Sequence, residues 1–191
     1  MTKKGDRVVL GLDMDGVIID NTKSKILFAK KLGYALTPDQ TPADFIESIM
    51  TEEDLGKLRQ LLYLNPETAL KAGLVEGAKN GLAALKTAGV RYFLISRRKN
   101  PEIARATLKK RGLWPTYLNE TNAFFVERPE DKNIKAGALG ITAYIDDQPS
   151  VLAKLTDVPG KFLMDRFAKF GDLPFAHTKV SSWPEFLSHI L

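Results

Sequence analysis

The chain of 191 residues contains no cysteine and only two histidines. The absence of cysteine excludes disulfide bonds, thiolate catalysis and cysteine-ligated metal sites. The histidines, His177 and His189, are isolated from each other in the sequence, which favours surface or capping roles over catalysis. Neither histidine is predicted to be catalytic.

Long apolar runs are also absent, since no stretch approaches the roughly 20 residues that a membrane-spanning helix requires. The apolar run that follows Lys3-Lys4-Gly5-Asp6-Arg7 is too short and wrongly flanked for a signal peptide. We therefore expect a protein that is not embedded in a membrane and is located in the cytoplasm.

Charge of one sign is only slightly in excess, with 28 Lys and Arg against 23 Asp and Glu and a net charge of +5. The basic clusters are separated by acidic and apolar residues, as on a solvated surface. There is no zinc-finger spacing and no aromatic-basic RNA motif, so a nucleic acid polymer is not the expected partner. The positive charge instead favours small anionic substrates. No feature of the sequence indicates an oligomeric state.

Short β-rich runs alternate with longer helical patterns, which predicts an α/β fold: a Rossmann-like parallel sheet of about five strands with helices on both faces. The predicted strands are residues 7–12, 90–95, 123–126, 142–145 and 160–164. Helices are predicted between Pro101 and Gly112, from Pro149 to Leu155, and after Ser182, which begins a capping-box pattern.

The segment from Thr22 to Gly89 shows no convincing strand and separates the first two strands. Its predicted helices are 24–32, 43–50, 52–62 and 77–88. We therefore predict a core domain of residues 1–17 and 76–191, with a small helical cap of residues 18–75 inserted after the first strand. Phe28, Phe45 and Tyr63 in this segment either pack inside it or contact substrate.

Polar side chains follow several predicted strands. Asp13 and Asp15 follow the first strand, Ser96 and Arg97 the second, and the pair Asp146-Asp147 the fourth. Ligands of open α/β sheets bind beyond the carboxyl ends of the strands, so these groups are expected to converge at one edge. Lys132 lies shortly before the fourth strand and adds a cation.

Clustered carboxylates repel one another unless a cation neutralises them, and Mg²⁺ prefers carboxylate oxygens completed by water and substrate phosphate. The cluster therefore implies Mg²⁺. Asp13 is suited to attack phosphorus, while Ser96 and Lys132 hold the transferring oxygens. Asp15 is placed to protonate the leaving group and then to activate water.

These residues resemble the motifs of the haloacid dehalogenase superfamily of phosphohydrolases. Asp13-Met14-Asp15-Gly16-Val17 is similar to the first motif, Ser96 to the Ser/Thr motif, Lys132 to the lysine motif and Asp146-Asp147 to the final acidic motif. The order and spacing agree over almost the whole chain. The inserted segment resembles the helical cap of the first cap class, which closes over substrate.

The resemblance implies that Asp13 is the nucleophile and a metal ligand, and that Asp15 is the general acid/base and binds the metal through its backbone carbonyl. Ser96, supplemented by Arg97, and Lys132 would bind phosphate, with Lys135 as the alternative lysine. Asp146 would bind the metal directly, with Asp147 as the alternate or outer ligand.

The expected function is that of a Mg²⁺-dependent phosphomonoester hydrolase that forms an aspartyl-phosphate on a small phosphorylated metabolite. Asp146-Asp147-Gln148-Pro149 and Asp165-Arg166 are loosely similar to the 5′(3′)-deoxyribonucleotidase-like branch, which implies a nucleoside monophosphate. Phe167-Ala168-Lys169 stands where that branch has Pro-X-Asn. The alternatives are a sugar-phosphate or phosphoglycolate phosphatase, then a phosphomutase, then a noncatalytic protein that binds a phosphorylated ligand.

Overall fold

The structure is a computed structural model and describes residues 8–191. Residue 7 of the first predicted strand, the first seven residues of the predicted core domain and the N-terminal segment considered as a signal peptide lie outside the described residues. The described strands, in chain order, are β1 (Val9–Leu12), β2 (Ile19–Asp20), β3 (Gly73–Leu74), β4 (Arg91–Ser96), β5 (Ala123–Phe125), β6 (Ala143–Asp146), β7 (Gly160–Met164) and β8 (Thr178–Val180).

Six of these strands form one sheet in the order β5-β4-β1-β6-β7-β8. Every neighbouring pair in this sheet is parallel. The predicted α/β fold with a parallel sheet is confirmed, but the count of about five strands omitted β8. That strand has three residues, of which only Val180 is buried, so the sequence carries little apolar alternation there.

The helices are α1 (Thr22–Lys31), α2 (Ala43–Ile49), α3 (Glu52–Arg59), α4 (Pro66–Ala69), α5 (Ala78–Thr87), α6 (Pro101–Lys110), α7 (Pro129–Ala138), α8 (Pro149–Lys154) and α9 (Trp183–Ser188). A short 3₁₀ turn, Pro38–Gln40, precedes α2, and a π turn, Gln60–Leu64, follows α3. No helix within residues 8–191 is both long and apolar enough to cross a membrane.

Alternate residues of the central strands point to opposite faces of the sheet and bury two separate cores. Leu10 and Leu12 of β1 pack with residues of α5, α6 and α9 on one face. Val9 of β1 and Tyr144 of β6 pack with residues of α7 and α8 on the other face. The helices therefore cover both faces, as predicted.

Gly11 in the centre of β1 makes room for Tyr144 of the adjacent strand. A Cβ at Gly11 would lie 2.1 Å from a ring carbon of Tyr144. The Tyr144 hydroxyl donates a hydrogen bond to the carbonyl of Ile95 at 2.8 Å and so links β6 to β4 across β1. This close packing keeps the three strands that carry the polar residues in register.

The segment between β1 and α5 begins and ends in a small antiparallel pair, in which Ile19 of β2 is opposite Leu74 of β3. The prediction that no strand occurs between Thr22 and Gly89 is therefore wrong for β3, because two residues are too few to show a period. α1, α2, α3 and the π turn bury an apolar cluster of their own: Phe28, Ala29, Leu36, Ile46, Met50, Leu55, Leu58 and Leu62.

Candidate active site

The site lies at the carboxyl ends of β4, β1 and β6, the three adjacent strands at the centre of the sheet. Asp13 follows the last residue of β1, Ser96 ends β4 and Asp146 ends β6. The backbone N–H of Asp13 donates to the carbonyl of Ile145 at 3.0 Å, which holds the loop after β1 against β6. The sheet thus brings these residues together, as the strand-end pattern predicted.

Asp13 is buried and both of its carboxylate oxygens accept hydrogen bonds. Oδ1 accepts from Nζ of Lys132 at 2.6 Å, and Oδ2 accepts from the backbone N–H of Asp15 at 2.9 Å. These bonds fix the orientation of the carboxylate relative to the loop. Each oxygen keeps a further lone pair with which it can react.

Lys132 connects Asp13 to Asp146. Its Nζ also donates to Oδ2 of Asp146 at 2.8 Å, and its side chain is 3% exposed. The alternative, Lys135, lies over the ring of Phe124 at 4.2 Å and does not share these contacts. Both lysines are on α7, and one turn of this helix separates the buried position from the half-buried one.

Three carboxylates form a compact acidic group, in which oxygens of Asp13, Asp146 and Asp147 lie within 4.8 Å of one another. Oδ1 of Asp146 accepts the backbone N–H of Gln148 at 3.0 Å, which leads the chain from β6 into α8. Lys132 supplies one positive charge to this group of three. Carboxylates in this number and proximity fit a hard divalent cation such as Mg²⁺.

Gly16 lets Asp147 lie directly against the loop after β1. Its φ is +81°, and a Cβ at this position would lie 2.0 Å from Oδ2 of Asp147. A residue with a side chain would therefore displace the carboxylate as well as strain the backbone. This cradle is a second sign that the residues present fit a cation.

The electrostatics of the group reflect its burial and crowding. Burial raises the pKa of Asp13 to about 7, against the lowering effect of Lys132. Burial and the neighbouring Asp146 raise the pKa of Asp147 well above its ordinary value. Burial tends to lower the pKa of Lys132, but the carboxylates of Asp13 and Asp146 outweigh it and raise this pKa. Added positive charge would favour the ionised carboxylates.

Asp15 is not one of the three carboxylates of the acidic group, and its side chain binds two other residues. Its Oδ1 accepts from Nδ2 of Asn21 at 2.6 Å and from Nη2 of Arg98 at 2.6 Å, while its Oδ2 accepts from Nε of Arg98 at 2.7 Å. Asn21 and Arg98 are both buried. The sequence analysis assigned neither of them a role at the site.

Arg97 and Arg98 both follow β4 directly, so the sequence offered either arginine as a candidate site residue. Sequence reasoning selected Arg97, which the structure leaves exposed, although it lines the chamber above the carboxylates. The direction of a side chain just beyond a strand depends on the loop conformation, which alternation does not give. Ser96 is buried and lines the same chamber.

The chamber lies between the acidic group and the inserted segment and has a volume of about 80 Å³. Its wall on the side of the inserted segment is mainly apolar, with Ala43, Ile46, Leu55, Leu58, Leu62 and Tyr63, and it also includes Glu47 and Arg59. Lys25 of α1 also lines it, and its Nζ donates to the carbonyl of Thr41 at 2.7 Å. Of the three aromatic candidates, Tyr63 reaches the chamber, Phe28 is buried in the segment's own cluster and Phe45 packs on Phe170.

Comparison by sequence identifies no relative, because no family model matches the chain and no protein of curated function is significantly similar to it.

Solved structures share the fold over nearly the whole chain. A haloacid dehalogenase family hydrolase from Deinococcus radiodurans, with bound phosphate and sodium, has a TM-score of 0.61 and 17% identity and covers 96% of this chain and 95% of its own. A hydrolase of the same superfamily, subfamily IA, from Geobacter sulfurreducens has a TM-score of 0.58 and 17% identity with full coverage of both chains.

A third similar structure is described as a predicted phosphoglycolate phosphatase from Haemophilus somnus. It has a TM-score of 0.60 and 13% identity, and it covers 97% of this chain and 98% of its own. At such low identities the three likenesses establish a shared fold and leave the activity to be argued from the site.

Proposed function

We propose that the protein is a Mg²⁺-dependent phosphomonoester hydrolase that acts on a small phosphorylated metabolite through an aspartyl-phosphate on Asp13. The observation that carries this proposal is the arrangement of Asp13, Lys132 and the Asp146-Asp147 pair at the central strand ends, with Asp15 two residues away on the same loop. The solved structures with the same fold that are described as hydrolases support the same reaction class.

The residues that would hold Mg²⁺ are Asp13, Asp146 and Asp147 through their carboxylates, with the backbone carbonyl of Asp15. When bound, the cation would offset the repulsion between the carboxylates and an incoming phosphate and would stabilise charge on the transferring oxygens. Lys132 carries out part of this neutralisation by itself, since its Nζ bonds to two of the carboxylates.

The first step forms a bond between a carboxylate oxygen of Asp13 and phosphorus and breaks the bond from phosphorus to the leaving-group oxygen. Asp15 gives a proton to that oxygen, so that an alcohol departs. In the second step a water molecule attacks phosphorus, Asp15 accepts its proton, and the bond to Asp13 breaks to release inorganic phosphate. Ser96 and Lys132 are proposed to hold the phosphoryl oxygens, with Arg97 at the chamber's rim.

We propose that residues 18–75 act as a cap over this reaction. The segment has its own apolar cluster and forms the apolar wall of the chamber. A solved structure of the same fold is described as a predicted phosphoglycolate phosphatase, and Phe167-Ala168-Lys169 stands where the nucleotidase-like branch has Pro-X-Asn. We therefore place small phosphate esters ahead of nucleoside monophosphates.

The test is phosphate release from p-nitrophenyl phosphate and from a panel of sugar phosphates, phosphoglycolate and nucleoside monophosphates, with Mg²⁺ or EDTA. Wild-type protein should release phosphate in the presence of Mg²⁺ and should release none in EDTA. Asp13→Asn should lose the activity entirely, because an amide is not a nucleophile towards phosphorus. The exposed Asp172→Asn serves as the matched control and should keep wild-type rates.

Release that persists in EDTA or in Asp13→Asn would contradict the proposed mechanism. Binding of inorganic phosphate without turnover of any ester would favour a noncatalytic protein. A preference for nucleoside monophosphates would contradict the proposed order of substrates and favour the nucleotidase-like alternative.

A further inference from the structure

Tyr63 of the inserted segment and Asp15 of the catalytic loop both contact one buried guanidinium, that of Arg98. Cζ of Arg98 is 4.3 Å from the centroid of the Tyr63 ring. The same guanidinium binds Asp15 through Nε and Nη2, at 2.7 Å and 2.6 Å. Arg98 is 4% exposed and forms a buried link between Tyr63 and the proposed acid/base, in addition to the direct hydrogen bond from Asn21.

Tyr63 lies in the π turn Gln60–Leu64, where the helix that begins as α3 widens. The backbone N–H of Asn65 closes the turn by donating to the carbonyl of Gln60 at 3.1 Å. The π form is rare and occurs frequently at functional sites. The extra residue in the turn changes the directions of the side chains that follow α3, and here the ring of Tyr63 lies over Arg98.

The contacts of Asp15 also define which of its lone pairs is left to move a proton. A carboxylate offers about four acceptor positions. Within residues 8–191, Oδ1 accepts two side-chain hydrogen bonds, from Asn21 and Arg98, and Oδ2 accepts one, from Arg98. The open position is therefore on Oδ2, and its direction is fixed by the guanidinium.

The ring of Tyr63 stabilises Arg98 in this position. Among the described residues, Nη1 of Arg98 is buried without a hydrogen-bond partner. The Tyr63 ring lies over the guanidinium at cation–π distance and offsets part of the cost of that unpaired N–H. Removal of the ring would therefore favour a different position of Arg98 and, with it, of the Asp15 carboxylate.

We infer that Tyr63 and Arg98 are positioning residues that align Oδ2 of Asp15 for proton transfer. This inference rests on the proposed function and extends it, since it makes the acid/base depend on a side chain of the inserted segment. Tyr63 acts on Asp15 through Arg98.

The experiment compares kcat/KM for two esters that need protonation of the leaving group to different degrees. The phenolate of p-nitrophenyl phosphate leaves readily without a proton, whereas the alkoxide of an alkyl phosphate requires one. Tyr63→Leu and Arg98→Lys should lower kcat/KM for the best alkyl phosphate of the panel about tenfold more than for p-nitrophenyl phosphate. Asp15→Asn should show the same selectivity to a greater degree.

Two variants serve as matched controls. Tyr63→Phe keeps the ring over Arg98 and should retain the wild-type ratio of the two kcat/KM values. Arg105, whose Cζ lies 5.6 Å from the ring of Phe125, is another arginine over an aromatic ring, and Arg105→Lys should behave as wild type. Circular dichroism will show whether each variant is folded. If Arg98→Lys does not fold, the comparison of Tyr63→Leu with Tyr63→Phe tests the inference.

Equal losses on both esters in Tyr63→Leu and Arg98→Lys would overturn the inference and leave the proposed function standing. A loss in Tyr63→Phe equal to that in Tyr63→Leu would also overturn it, because the ring alone would then not be the positioning element. Wild-type protein without Asp13-dependent hydrolysis would overturn the proposed function, and the inference with it.

Discussion

The absence of a side chain at Gly16 allows Asp147 to lie against the loop that carries Asp13 and Asp15. With φ at +81° and a Cβ position 2.0 Å from Oδ2 of Asp147, any side chain here would both strain the backbone and push the carboxylate away. The position of Asp147 in the acidic group therefore depends on a glycine, which has no side chain that could bind a cation or react.

Gly16→Ala should lose activity, since displacement of a reacting or ligating group by about 1 Å can cost about 100-fold in rate. Gly33→Ala is the matched control, because Gly33 has φ at +90° and no atom within 4 Å of its Cβ position. Backbone strain should lower the free energy of unfolding of both variants by about 1 kcal/mol, and Gly16→Ala should lose more because its Cβ would clash with Asp147, as measured by urea denaturation. Full activity in Gly16→Ala would show that Asp147 is not needed at its present position.

The positions of several candidate site residues were predictable from the sequence, because the carboxyl ends of neighbouring parallel strands lie at the same edge of the sheet. Asp13 and Asp146 were found in this way, and the geometry places Lys132 rather than Lys135 beside them. Arg98 and Asn21 were missed because their positions follow from loop conformation and helix orientation, which need the tertiary structure.

The contact between α2 and α8 connects the inserted segment to the core beside the acidic group. Asp44 near the start of α2 accepts from Oγ of Ser150 at 2.8 Å, from the backbone N–H of Ser150 at 3.1 Å and from Nε2 of Gln148 at 3.2 Å. A carboxylate at the first turn of α8 also interacts favourably with that helix end. Asp44 thus links the inserted segment to the core at Gln148, the residue that follows Asp147.

Under the proposal that the inserted segment is a cap, Asp44→Ala should favour an open cap and weaken substrate binding. A loss of about 1 kcal/mol for these partly exposed hydrogen bonds corresponds to about a fivefold rise in KM for the best substrate. Asp54→Ala is the matched control, because Asp54 bonds to Tyr34, Thr51 and Lys57 within the same segment. Unchanged KM in Asp44→Ala, or an equal rise in Asp54→Ala, would show that the α2 to α8 contact does not govern closure.

A second contact between elements gives a pH dependence. Burial would raise the pKa of Asp20, but hydrogen bonds from Arg166 and Thr22 outweigh it and lower the pKa below 3.8. The folded state therefore binds this proton less readily than the unfolded state, so the contact stabilises the protein above pH 3.8 and is lost as the pH falls through the folded value. Thermal unfolding should show wild type more stable than Asp20→Asn at pH 7, with the difference shrinking below pH 3.8. A difference that grows in acid would contradict the assignment.

At the scale of the whole molecule, binding of the proposed cation to the buried acidic group would stabilise the folded state. Binding to the folded state alone at 100 times Kd adds about 2.7 kcal/mol. For a chain of this size that corresponds to a rise of about 5–10 °C in Tm. Protein freed of metal with EDTA should show this rise when Mg²⁺ is added, and Asp146→Asn should lose most of it, while Asp172→Asn keeps it. Equal shifts in all three proteins would indicate nonspecific binding.

The overall fold was more predictable than its smallest strands. β1, β4 and β6 are long enough to show buried runs, and the alternation of strands with helices then dictates a parallel sheet. β2, β3 and β8 have two or three residues each, so their pairing is decided by the packing around them. The π turn after α3 likewise continues a helical pattern that the sequence does not distinguish from an ordinary helix.

The inserted segment enters and leaves the core through one pair of neighbouring strands, with Asp20 of β2 opposite Gly73 of β3. A two-stranded junction of this kind sets the ends of the insertion one strand spacing apart, whatever lies between them. Recombination could therefore exchange the intervening residues for a shorter or longer stretch without breaking a strand of the main sheet. Under the proposed function, such an exchange would change the wall that faces the substrate and leave the proposed catalytic residues unchanged.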